Sequence, residues 1–167
     1  MRFFLILSAF ILIRCNPFAP EALDRKPDTM PEFINQKTPQ NVLESFRFAY
    51  AFKDSLLYSE LLDSTFLFIS KNYATSPPTE YKWGKDTDIK TTVGMFRHFN
   101  ILELTWGNIP TPNYNEDSTK SDLRVTFQLI LDGGREFPAI TGEALYNFNK
   151  HPDKKWRITR WEDLSSF

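Results

Sequence analysis

The sequence predicts an α+β fold: a strongly curved antiparallel sheet of four to five strands with three N-terminal helices packed on its concave face. Three observations carry this reading. Residues 121–164 hold three consecutive strand-like runs separated by turn signals. Upstream, residues 39–99 hold three runs with apolar side chains at helical spacing. The chain has 167 residues, 16% of them aromatic and sixteen of them Phe, which suffices for one domain with a single dense core.

The N-terminus opens with Met1-Arg2 and an apolar run over residues 3–13. That run falls short of the roughly 20 residues that span a bilayer and has the shape of a secretory signal core. Leu12-Ile13-Arg14-Cys15 closes it, with the only cysteine of the chain at its end. This stretch resembles the lipobox of a bacterial lipoprotein precursor, with Arg14 where a small residue is usual. The resemblance implies removal of residues 1–14 as a signal peptide, acylation of Cys15 and attachment to a membrane through the lipid. Asn16 rather than Asp after the cysteine implies the outer membrane of a bacterial envelope, on its periplasmic or surface side. An uncleaved signal anchor with an incidental cysteine is the competing reading. Residues 15–38 then read as a tether, with Pro17, Pro20, Pro27 and Pro31, mixed charges and no sustained periodicity.

The folded domain is expected over 39–167. Thr38 as N-cap and Pro39 at the first helical position begin a helix over 39–53. Its buried stripe is Val42 or Leu43, Phe46, Ala49 and Tyr50, widened by Phe48 and Phe52. Asp54 can cap a second helix over 55–63, bearing Leu56, Leu57, Leu61 and Leu62. Residues 65–70 read as a short first strand and 71–85 as a loop. A third helix, capped by Asp86 or Thr87, runs to Phe99 with Ile89, Val93 and Phe96 inward. Residues 101–109 form the next strand, with Leu102, Leu104 and Trp106 on one face, and 110–120 a long polar loop.

In 122–132, Leu123, Val125, Phe127, Leu129 and Leu131 alternate with Arg124, Thr126, Gln128 and Asp132, so one face is buried. Gly133-Gly134 accepts the backbone of a two-residue hairpin turn. That loop sets Phe127 opposite Ile140, Val125 opposite Gly142, Leu123 opposite Ala144 and Arg124 opposite Glu143. The turn at His151-Pro152-Asp153-Lys154 leads to the last run, 156–164. Two registers one residue apart are available there; the one stacking Ile158 on Phe148 keeps the apolar set inward. It includes Lys155 in a five-residue loop, and it sets Arg160 beside Tyr146 on the helix-covered face.

This order of elements, with the stretches "SLLYSELLDSTF" and "KWRITRWED", resembles the nuclear transport factor 2-like superfamily over about residues 39–164. A cystatin-like arrangement is the nearest competitor. The resemblance implies a cone in which helices fill the hollow of a bent sheet. Its enzymes, such as ketosteroid isomerase and polyketide cyclases, work inside that cone, pairing an acid or base with a tyrosine or protonated carboxyl. Candidate ligand-binding residues are Tyr50, Asp63, His98, Tyr146 and Arg160. Arg160 is the most informative, because a cation facing a core needs an acid, a carbonyl cluster or an anionic ligand. On the back face Ile130 is expected against Phe137, and Leu145 opposite Trp161. These four mark a surface for a homodimer, as in many members of that superfamily.

Net charge is −1, with Lys and Arg scattered, so no nucleic-acid partner is expected. One cysteine excludes an intrachain disulfide, and two distant histidines give little support for a metal centre. No cofactor is expected and no catalytic residue is assigned. The sequence reads best as an envelope-anchored lipoprotein whose cone is a non-catalytic binding or assembly module. The alternative is a small cone-fold enzyme, an isomerase, cyclase or hydrolase-like protein, acting on a hydrophobic or anionic small molecule.

Overall fold

The computed structural model describes residues 34–73 and 75–165. The expected signal peptide, Cys15 and most of the tether lie outside them. The last five tether positions, 34–38, are described, and they pack on the domain. Ile34 and Gln36 are buried. The Gln36 amide donates to the Glu60 and Trp156 carbonyls, each at 3.1 Å. Trp156 N–H donates back to the Gln36 carbonyl at 2.9 Å. The packed unit therefore includes residues ahead of the expected boundary at 39, because a buried residue with two side-chain bonds and one backbone bond to the domain cannot be part of a loose tether.

Helix α1 is Pro39–Phe52; the Thr38 side chain accepts from Asn41 N–H, and the helix ends at Lys53 in the left-handed region (φ 55°). Val42, Leu43, Phe46, Ala49 and Tyr50 are buried along it. Phe48 and Phe52 do not widen that stripe. They stack on each other on the outer side, rings 4.1 Å apart, with Phe52 68% exposed. Helix α2 is Ser55–Leu61, its first turn capped by the Asp54 carboxylate, which accepts from Leu56 and Leu57 N–H. Strands β1 (Leu62–Asn72) and β2 (Thr79–Gly84) form a hairpin, so part of the expected 71–85 loop is strand. Helix α3, Lys85–His98, starts directly at Gly84 and buries Asp88, Thr92 and Phe96.

Strand β3 is Leu102–Trp106 and the two-residue β4 is Asn113–Tyr114. Both lie along one edge of β5, Lys120–Leu131, followed by β6 (Ile140–Lys150) and β7 (Trp156–Asp163). The strand order is β2-β1-β7-β6-β5-β3. The sheet is mixed, not purely antiparallel, because β1 runs parallel to β7. It bends around the helices.

Three pairings differ from expectation. The β5–β6 hairpin does not close on a two-residue glycine turn. Leu129 pairs with Ile140, Phe127 with Gly142, Val125 with Ala144 and Leu123 with Tyr146. The shift is two residues, so the buried face is preserved. The turn opens because the Asp132 carboxylate caps Asn100 and Ile101 N–H at 2.7 and 2.8 Å, tying it to the start of β3. Arg124 still meets Glu143, now diagonally, with Nε and Nη2 each 2.7 Å from a carboxylate oxygen. Gly142 also has a steric role: a Cβ there would meet the Phe127 ring at 2.9 Å and Ser165 Oγ closer still.

The third difference matters most. The 151–155 loop and the Phe148–Ile158 pair are as expected, but the ladder then skips Thr159, and Asn147 pairs with Arg160. Thr159 is a β-bulge, its hydroxyl donating to the Asn147 carbonyl at 3.2 Å. One extra residue exchanges the two faces. Trp161, expected outside opposite Leu145, turns inward beside Tyr146. Arg160, expected inside, turns out, and Leu145 faces Glu162.

Candidate ligand-binding sites

The hollow of the cone is built around Phe46 on α1. Its ring lies 5.0–6.1 Å from those of Tyr50, Tyr58, Trp106, Tyr146 and Trp161. Tyr146, from β6, is 1% exposed and stacks on Trp161 at 5.5 Å. What remains open beside these rings is an apolar recess of about 30 Å³, lined by Phe46, Tyr50, Leu104, Phe127, Tyr146 and Trp161 among others. That is room for about one water, well short of the 300–1,000 Å³ of a typical small-molecule site. Trp161 Nε1 is buried there without a protein acceptor among the described residues.

Behind the recess the helices enclose a polar cluster not foreseen from sequence. Asp88, 3% exposed, accepts from Tyr58 Oη at 2.5 Å and Trp83 Nε1 at 2.9 Å. Burial raises its carboxyl above the usual range, against the pull of those two bonds. Burial likewise raises the phenols of Tyr50, Tyr58 and Tyr146, with the Asp88 charge adding to each. Thr92 and Tyr58 work against that rise at Tyr50. A carboxyl and phenols are the parts of an acid–base site, yet here they satisfy one another. In the sequence Asp88, Thr92 and Phe96 lie at i, i+4 and i+8, a buried stripe one position away from the Ile89 and Val93 read as inward.

The most polar of the described clefts lies outside the cone. Between Leu62 and Leu67 the β1–β7 register shifts, and this irregular stretch carries Asp63. The Asp63 carboxylate, 3% exposed, accepts from Thr65 N–H at 2.8 Å and Thr65 Oγ1 at 2.7 Å and lies against His151 Nε2. Burial pushes this carboxyl up, but the Thr65 bonds and His151 outweigh it, and the net value lies below the ordinary one. Gln36, Glu60, Lys85, Lys155 and Arg157 complete a cleft of about 530 Å³. Lys85 Nζ donates to the Leu62 carbonyl at 2.6 Å. Burial, opposed by the Asp63 charge and reinforced by that of Arg157, holds its ammonium below the ordinary range.

The expected site residues therefore separate. Tyr50 and Tyr146 are core rings edging the small recess, and Asp63 belongs to the outer cleft. His98 is exposed on the last turn of α3, its ring 4.7 Å from Phe99, and does not reach the interior. Arg160 does not line the cone mouth. Its side chain is 43% exposed and binds Glu162 at 2.7 Å. The four back-face residues do not form one patch either. Ile130 pairs with Glu103 and Leu145 with Arg124 and Glu162. Phe137 lies in the β5–β6 connection with its ring 5.5 Å from Phe99, and Trp161 is inside. The residue missed was His151, whose partner lies 88 positions away and is reached only through the parallel β1–β7 pairing.

No family model matches the chain, and no curated protein matches it. Solved structures do. A conserved protein from Planctomyces limnophilus is similar at 14% identity and a TM-score of 0.60, over 74% of this chain and 89% of that one. A protein provisionally named scytalone dehydratase from Novosphingobium aromaticivorans is similar at 16% identity and 0.59, over 77% and 81%. A protein with a cystatin-like fold from Nostoc punctiforme is similar at 11% identity and 0.55, over 74% and 85%. At these identities the likeness concerns the fold, which is the cystatin-like, nuclear transport factor 2-like α+β cone.

Proposed function

We propose that the chain is a lipid-anchored envelope protein whose cone serves as a non-catalytic binding or assembly module. The observation that carries the second half is the filled hollow: about 30 Å³ remains where a cone enzyme needs room for its substrate. The Asp88–Tyr58 pair, the natural acid–base candidate, is spent on internal hydrogen bonds. The anchor rests on the apolar run that ends at Cys15. Multiple acyl chains would hold the protein firmly, since each buried methylene contributes about 0.8 kcal/mol.

Expression of the full chain in bacteria fed a labelled fatty acid tests the anchor. The expected result is label in the membrane-bound protein that is lost in Cys15→Ser, which then leaves the membrane pellet. Unlabelled wild-type protein, or label retained by the variant, would overturn it. The enzyme reading predicts that aromatic or steroid-like compounds bind inside the cone and quench the tryptophan fluorescence; the binding-module reading predicts no such saturable quenching.

A further inference from the structure

We infer that the cleft beside Asp63 and His151 binds a small oxyanion, a phosphate or carboxylate group, independently of the cone interior and of any anchor. Three cationic side chains converge there from separate elements: Lys85 at the start of α3, Lys155 from the 151–155 loop and Arg157 from β7. The acid that would oppose an anion most strongly, Asp63, is already engaged by Thr65 and His151. Arg157 is engaged by Asp153, Nη2 to Oδ2 at 2.5 Å.

That leaves Lys85 and Lys155, neither of which has a carboxylate within ion-pair distance among the described residues; the exposed acids nearby are Glu60 on the rim and Asp86, whose charge also acts on Lys85. Lys85 is the telling one. Half-buried, it places one N–H on the Leu62 carbonyl at 2.6 Å, and its other two donors have no acceptor among the described residues. A desolvated ammonium with spare donors beside a second cation is a poor structural tie and a good oxyanion seat. Ammonium groups act as point charges toward phosphate or carboxylate, so the cleft selects charge and size more than shape.

The test titrates the full chain separately with inorganic phosphate and with acetate, reading backbone amide shifts by NMR. Saturable shifts centred on Lys85, His151 and Lys155 are expected. Lys155→Gln, an exposed change that leaves the fold intact, should weaken binding about tenfold, the effect of one charge-assisted contact. Lys85→Met should abolish it, and Lys82→Gln on β2 should leave it unchanged. Displacement of bound phosphate by phosphatidylglycerol vesicles would assign the oxyanion to a lipid headgroup; retention would assign it to a free solute. Absence of saturable shifts with either anion, or equal weakening by Lys155→Gln and Lys82→Gln, would overturn the site.

Discussion

Phe46→Ala is expected to lower the free energy of unfolding by about 3–5 kcal/mol, the range for a large aromatic truncated inside a packed core. The ring is 1% exposed and touches aromatic side chains from α1, α2, β3, β6 and β7. Neighbours anchored on five elements cannot all relax into one vacated site, so the upper half of that range applies. With total stability of order 5–15 kcal/mol, the variant would sit near the limit of folding. Urea unfolding followed by far-UV circular dichroism checks this, with an unchanged denaturant slope marking a folded, destabilised variant. The new space should be apolar, so indole should bind the variant and not the wild type. A loss below 1 kcal/mol would mean that the hollow is loosely filled.

The second large effect is expected at Asp88. Asp88→Ala removes the acceptor of both the Tyr58 hydroxyl and the Trp83 indole N–H. Orphaning buried donors costs about 1–3 kcal/mol each, partly offset by release of a desolvated carboxylate, so a net loss of about 2–4 kcal/mol is expected. The pH dependence has a definite sign. Burial raises the folded-state carboxyl above its ordinary 3.8, so the native state holds the Asp88 proton more tightly than the unfolded chain. The stabilisation from that proton is fully present below the unfolded value and is lost as pH rises through the raised folded value. The gap between wild type and Asp88→Ala should therefore widen on acidification. A gap that narrows would show that Asp88 is held ionised by its two donors.

What the sequence revealed and what it concealed divide by the range of the forces involved. The alternation from Leu123 to Leu131 is local, and the buried face it announces is the one found. The Thr38–Pro39 start and the Asp54 cap are also local, and both stand. Gly133-Gly134 is a local signal that was overruled, because Asp132 spends its carboxylate on residues about 30 positions earlier. Strand β2 escaped notice because "TEYKWG" is exposed along nearly its whole length and has no apolar alternation.

The bulge at Thr159 left no glycine or proline to mark it. It is fixed by burial of the Trp161 ring against Phe46, Phe68 and Tyr146, a tertiary preference invisible along the strand. That single residue removed Arg160 from the cone and helped fill the hollow. The outer cleft was half legible: Asp63 stood out, but its histidine partner depends on a parallel strand pairing that periodicity does not encode.

The faces assigned to Arg160 and Trp161 decide whether this cone is filled or hollow, and paired unfolding measurements on Trp161→Ala and Arg160→Ala test them. With the indole inside, Trp161→Ala should lose about 3 kcal/mol. Arg160→Ala, breaking a part-buried pair whose Glu162 keeps Lys71 as a second partner, should lose about 1 kcal/mol. The reverse order, a tolerated Trp161→Ala and a severe Arg160→Ala, would put the guanidinium back inside and contradict the filled cone.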